Sequence, residues 1–435
     1  MTKDQVIEAI RSVLRDQLNH AHLDRFGPGA RLNEDLYLDS VLILEIFLAL
    51  ELQFGLSAPE EAINRQDIAT VAELAGLFTG DAIVAVAPAK AEPAGEGVHG
   101  EDYIDIKVHC FVSSVCDALK RSGIDQRPFY FGVWDADFAI TERWALAYHH
   151  GSVDHQFFRS WYERLYGVRM QEWYDRARSK DENVAVMLDL IERRRDGQHL
   201  MVMLDLFHLP ERENKFNQNP FPHYLMLEKT DDPMVWQVND PDFRWEGRIE
   251  RDKILDAIRQ PTVAGGFLFD RHEARPPADA DLRDYFLACH QPHANPLVAA
   301  VRRIVRAHLD GRDGVTLADL ATALRELPVI SIRKYAYEHG FAFFWRSLKL
   351  ANADFDFWCD EIERLIQEFK AVHYAAMRLA QTGDRDLAAD LFRRLDTLDG
   401  IESRIKARLG EVFRDWCAAR GLAPENPVPM LGAAE

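Results

Sequence analysis

Between Asp81 and about Glu101 the chain reads DAIVAVAPAKAEPAGEGVHGE, a run of Ala, Pro and Gly with almost nothing to anchor a core. Such composition gives an extended, semi-flexible tether, and loops this long are uncommon inside a compact domain. The stretch divides the 435 residues into a module of about 80 and a second of more than 300, so the fold must be multidomain. With 52 Lys and Arg against 71 Asp and Glu, the formal charge is −19. That surplus repels phosphate backbones and anionic membranes, so neither nucleic acid nor a membrane is expected as a partner. Five cysteines, an odd number, suit a reducing compartment better than a disulfide framework. The opening MTKDQVIEAIRSVL lacks a secretory apolar core, and VLILEIFLALEL is broken by Glu45 and Glu51 and too short to span a bilayer. The expected location is cytoplasmic.

In residues 1–80, Val6, Ile10, Val13, Leu14 and Leu18 share one helical face. After the loop GPGARLNEDLYL, a second apolar helix is predicted from Asp39 and Ser40 to a stop at Gly55, and a last one carries Ile68, Val71, Leu74 and Phe78. This module holds 13 acids and 6 bases. Beyond the tether, residues 102–272 mix helices with short strands near 202–207, 223–228 and 235–239, while 273–435 read as nearly all helix. An α+β core with a helical C-terminal portion packed on it is expected. Gly265 and Gly266 read as a turn.

Asp39 is a strong N-cap residue, and a Ser at the start of a helix projects its hydroxyl outward. Alone the pair signifies capping. With the leading amphipathic helix, the long loop, EDLYLDS, the apolar helix and IATVAELAGLF, residues 1–80 resemble an acyl or peptidyl carrier protein. The resemblance implies a four-helix bundle whose Ser40 receives 4′-phosphopantetheine from a phosphopantetheinyl transferase, the arm carrying an acyl thioester. It also implies that Asp39, Val41, Glu45 and Glu51 form the face partner enzymes recognise, with Val41 departing from the usual Leu or Met. No GxxxxGK[ST] loop is present, so an adenylating enzyme acting in trans is expected to load the carrier.

In VHCFVSSVCDALKRSGI, Phe111, Val115, Ala118 and Leu119 trace a helix ending at Ser122 and Gly123. Cys110 thus falls at a helix N-terminus, where partial positive charge favours the nucleophilic thiolate and His109 could add to the field. Downstream, His223 begins one predicted strand and Asp240 ends the next, across a tight Asp231–Asp232–Pro233 turn. Alternation of side chains lets both point into one cleft. The order Cys110, Asp205, His223, Asp240 resembles the butirosin-type aminoglycoside side-chain acyltransferases, which share a papain-like fold with bacteriocin-processing cysteine peptidases. The residues that match are His109–Cys110 with Ser113–Ser114, Asp205–Leu206–Phe207 with Pro210, His223–Tyr224 and Asp240–Pro241, over roughly 103–270. The resemblance implies transfer of an acyl group from a carrier thioester, through Cys110, to an amine, with His223 as base and Asp240 orienting it. Asn239 is the alternative orienting residue. No Gln precedes Cys110 to complete an oxyanion hole, which leaves that donor unassigned.

An acidic catalytic module suits a cationic acceptor such as a polyamine or aminoglycoside. Asp135 and Asp137, in FGVWDADF, and Asp205 are the candidate substrate-binding acids. Carrier plus acyltransferase also resembles the pair that attaches dihydroxybenzoyl groups to spermidine in petrobactin-type siderophore pathways, here as one chain. No metal is expected: His149–His150–His155 and Cys289–His290–His293 lack a second paired cluster. A cysteine hydrolase and a non-catalytic carrier scaffold remain alternatives. Delivery within one chain, or across a homodimer, is left open.

Overall fold

A computed structural model describes the chain except for Ala21, Glu34, Asp39 and segments 58–67, 80–107, 210–218 and 426–435. Three helices are described in the first module: α1 (Lys3–Asp16), α2 (Ser40–Phe54) and α3 (Val71–Thr79). A Thr2–Gln5 capping box starts α1, which turns Val6, Ala9, Ile10, Val13 and Leu14 inward. The sequence of α2, SVLILEIFLALELQF, is apolar on nearly every side, and such a helix needs cover on every side. The module's own helices cover part of it. Tyr374 and Met377, from the far end of the chain, are buried in the same core.

The second module continues with α4 (Cys110–Arg121), two-residue strands β1 (Ala139–Ile140) and β2 (Leu146–Ala147), α5 (Gln156–Tyr166), β3 (Gln171–Glu172) and α6 (Lys180–Arg193). Next come β4 (Gln198–Asp205), β5 (Pro222–Lys229), β6 (Val235–Asp240), β7 (Trp245–Glu250), α7 (Arg251–Arg259) and β8 (Gly266–Asp270). These build a six-stranded antiparallel sheet in the order β3-β8-β4-β5-β6-β7. Strand alternation sorts its side chains into two cores. Met201, Met203, Tyr224, Met226 and Phe267 join the core that contains the buried face of α4. Leu200, Val202, Leu204, Leu225 and Leu227 join another, with Met187 and Ile191 of α6 and Ile254 and Ile258 of α7.

The predicted strands are present, with shifted ends. Residues Leu206–His208 leave the sheet as a 3-10 turn because Asp205 Oδ1 accepts the Phe207 N–H. Gly266 opens a strand instead of a turn, and a Cβ there would lie 2.1 Å from the Trp173 ring. Strand β7, WEGRIE, escapes sequence reading because it is polar and buries little beyond Ile249.

The C-terminal portion is helical: α8 (Asp279–Cys289), α9 (Pro296–Asp310), α10 (Leu320–Ala323), α11 (Leu327–Ser331), α12 (Ala336–Leu348), α13 (Asn352–Thr382) and α14 (Leu387–Ala419). The long α13 and α14 pack along each other. A buried ionic cluster ties this portion to the sheet module. Lys334 Nζ donates to Asp135 Oδ1 (2.8 Å), Glu402 Oε1 (2.6 Å) and the Trp134 carbonyl (2.6 Å), and Lys406 Nζ donates to Asp135 Oδ2 (2.6 Å). Among the described residues, no helix is long and apolar enough to cross a membrane.

Candidate active site

Cys110 is the first residue of α4, and His109, its extended N-cap residue, makes no side-chain cap. The cap comes instead from the loop after β6. Buried Asp242 accepts the N–H groups of Val108 and His109 (both 3.0 Å) and the Ser113 hydroxyl (2.7 Å) through a single oxygen, Oδ1. The following N–H groups, beginning with that of Cys110, have no acceptor within the helix, so the thiol sits in the partial positive charge of the helix head. Of the five free cysteines Cys110 is half-buried and the other four are buried.

His223 is the second residue of β5, and Asp240 is the last of β6, its hairpin partner. Alternation and the short turn bring them together as expected: His223 Nε2 lies 2.9 Å from Asp240 Oδ1, with side chains 3% and 0% exposed. Phe243 stands edge-on to the imidazole at 5.0 Å between ring centroids. Burial opposes charge on His223. The carboxylate of Asp240 and the negative charge of the hydrogen-bonded Cys110 thiolate outweigh it and hold the imidazole well above its ordinary pKa. Asn239, the alternative orienting residue, makes a long hydrogen bond (3.4 Å) to Asp117 on α4 instead.

A cavity of about 50 Å³ joins Cys110 and His223 with Tyr148, His155, Phe243 and Arg333. Arg333 was not foreseen. It is buried, donates to the carbonyls of Ala136 (3.2 Å) and Asp137 (2.9 Å), and places its charge near Cys110 and Tyr148. It supplies the field expected of His109. Burial, with Arg333 and His155 nearby, holds His109 well below its ordinary pKa and hence neutral. A second cavity of about 140 Å³ shares His109 and His155 with the first and is lined by Asp135, Asp137 and Asp154.

Two of the expected substrate acids are committed elsewhere. Asp135 lines the second cavity, but its carboxylate is already paired with Lys334 and Lys406 and its side chain is 4% exposed. Asp205 accepts the N–H groups of Phe207 (3.2 Å) and Phe221 (2.8 Å) and the Thr262 hydroxyl (3.0 Å), which makes it a turn-former at the end of β4. Asp137 is exposed at the second cavity. Ser40 is the first residue of α2, while Asp39 and the side chains of Ser40 and Val41 lie outside what is described. Among the described residues, no three His, Cys, Asp or Glu gather as a metal site.

The arrangement defines a multidomain protein of mixed helix and sheet, with a helical module ahead of a core that gathers a thiol, an imidazole and a buried carboxylate. The chain belongs to the DUF6005 family: it matches the DUF6005 N-terminal domain over residues 105–274 and the DUF6005 C-terminal domain over 280–429. It is 41% identical to a petrobactin synthase of Bacillus anthracis over 312 residues, covering 72% of this chain and 95% of that one. It is also similar to acyl carrier proteins. The identity is 26% over 74 residues to acyl carrier protein AsbD of Bacillus anthracis, 17% of this chain and 81% of that protein. With the acyl carrier protein of Thermosynechococcus vestitus it is 33% over 65 residues, 15% of this chain and 79% of that one.

Proposed function

We propose that the chain moves an acyl group from a carrier thioester through Cys110 to an amine, as a step in siderophore biosynthesis. Similarity to a petrobactin synthase supports the pathway class, and similarity to acyl carrier proteins supports a donor held on the first module. One observation carries the chemistry: Cys110, His223 and Asp240 converge at the head of α4. Ser40 fits the attachment point, since it opens a 15-residue helix whose dipole favours an anionic phosphodiester at its head. Once attached, 4′-phosphopantetheine supplies the thiol that holds the acyl group as a thioester.

The Cys110 thiolate attacks the thioester carbonyl, and His223 gives up the proton it holds to the leaving side of the breaking C–S bond. The product of this step is acyl-Cys110. A neutral amine then attacks that carbonyl, His223 accepts the N–H proton, and the bond to Cys110 breaks to give an amide and restore the thiolate. Asp240 occupies Nε2 of His223, which leaves Nδ1 for the thiol. In this reading the Cys110 N–H and Arg333 take the charge developing on the carbonyl oxygen. Asp137 and Asp154, in the adjoining cavity, support a cationic acceptor such as a polyamine or an aminoglycoside-like amine.

Intact-protein mass spectrometry tests the reading after a promiscuous phosphopantetheinyl transferase loads Ser40 with an aryl-acyl pantetheine. Wild type should lose the acyl mass only when a polyamine mixture is added, and Cys110→Ala should keep it. Loss without amine would make the protein a hydrolase. A chain in which Ser40 never gains the arm would end the carrier reading.

A further inference from the structure

The acids of α2 have found a partner inside the same chain. Glu51 Oε2 accepts the Tyr374 hydroxyl (2.8 Å), and Glu51 Oε1 pairs with Arg378 (3.0 Å), both from α13. The Glu51 side chain is only 15% exposed. Six residues nearer Ser40, which is about 9 Å along a helix, Glu45 is half-buried and lies in the field of Arg325. Ala321, one turn before Arg325, packs against the first-module core and the catalytic core together. Tyr374 and Met377 are 7% and 5% exposed because the first module covers them.

The contacts also run in a useful direction. From Glu51 to Glu45, α2 passes from α13 to the segment around Arg325. The next residue, Glu326, accepts the Tyr148 N–H at 2.7 Å, and Tyr148, Val329, Ile332 and Arg333 line the Cys110 cavity. The end of α2 that begins with Ser40 is therefore the end nearer the segment that walls the nucleophile.

We propose that Arg325, Tyr374 and Arg378 form a docking seat for the chain's own carrier module, and that acyl delivery to Cys110 occurs in cis from this seat. The proposal rests on the acyl-transfer reading above. Its energetics suit a site that must also release. A partly exposed ion pair such as Glu51–Arg378 holds only weakly. A tether of about 20 residues raises the effective concentration to the millimolar range, so a weak seat is filled while still freeing Ser40 for modification and loading. A carrier supplied separately would meet a seat already occupied.

Charge reversal tests it with two readouts on the full chain. Small-angle scattering of the unloaded protein should show a larger particle for Glu51→Arg and for Arg378→Glu, and wild-type dimensions for the double exchange. In single-turnover transfer from loaded Ser40 to Cys110, each single reversal should slow the rate about tenfold and the double exchange should recover most of it. The wild-type rate should not depend on chain concentration. Unchanged dimensions and rates in both single variants, or a rate rising in proportion to concentration, would overturn the proposal, the latter in favour of delivery between chains. A small-molecule acyl thioester offered to wild type separates the two readings. If it never acylates Cys110 while the scattering responds to charge exchange as expected, the acyl-transfer reading and the delivery role built on it fail, and only the contact survives.

Discussion

Removal of Asp242 should open the head of α4 without unfolding the rest of the protein. One buried oxygen holds the Val108 and His109 N–H groups and the Ser113 hydroxyl. Asp242→Ala leaves all three donors without this acceptor. Hydrogen bonds to a charged group are worth about 1.5–3 kcal/mol each, and entering water recovers part of the loss, so the net cost is about 3–6 kcal/mol. In a multidomain chain a single unfolding free energy is poorly defined, so local amide exchange is the appropriate assay. In a peptide spanning the start of α4, exchange should accelerate by about 10²–10⁴-fold, at 1.4 kcal/mol per factor of ten, while peptides from α13 and α14 stay protected. Asp242→Asn keeps an oxygen but loses the charge, and about tenfold is expected. Ser113→Ala removes the shortest of the three bonds and should fall near the Asn variant. Acceleration of less than threefold in Asp242→Ala would refute the claim that this carboxylate anchors the nucleophile's helix.

Iodoacetamide at neutral pH should modify Cys110 first, because the other four thiols are buried and burial pushes that of Cys417 up to about 11; His223→Ala should slow modification at least about tenfold. Since His223 is held above its ordinary pKa, its contribution to stability is complete below the unfolded value near 6.5 and is lost as pH rises through the higher folded value. Asp240→Asn should move that loss toward neutral pH, as read from thermal melts across pH. Lys334→Met leaves two buried carboxylates, Asp135 and Glu402, to share the single cation Lys406 and should cost about 3–5 kcal/mol, measured by chemical denaturation monitored within the C-terminal helices. Burial, with Glu363 adding repulsion, pushes Glu338 up to about 8, so the folded state prefers its neutral form and loses stability as pH climbs from about 4.5 to about 8. Glu338→Gln should therefore raise the melting temperature at pH 8 and leave it nearly unchanged at pH 4.5.

What could be read in advance was whatever local periodicity controls. The 3.6-residue spacing of Phe111, Val115, Ala118 and Leu119 fixes where α4 begins, and that puts Cys110 at its head. Strand alternation across a short turn puts His223 beside Asp240. Charges that pair across the fold have no period to betray them. Asp135 looks like an open acid among aromatics until Lys334 and Lys406, 199 and 271 residues away, are seen to hold it. Arg333 reaches the site in the same way, through the Asp137 carbonyl 196 residues before it. No feature of SIRKYAYEH marks this arginine as different from those on solvated helix faces. Asp242 lies two residues past Asp240, and sequence alone offers no reason to prefer it as a helix cap.

The apolar surface of α2 is an intermediate case and the most instructive one. A helix as apolar as SVLILEIFLALELQF calls for cover on more than one side, and a further surface can supply part of it. It does not say whose. The Tyr374, Met377 and Arg378 contacts supply the answer from α13, within the same chain. These contacts cross from the first module to the C-terminal helices, and the first module's sequence does not name them. Because the Glu51–Arg378 pair crosses that boundary, exchanging its charges tests the relation between the modules more directly than any substitution around Cys110.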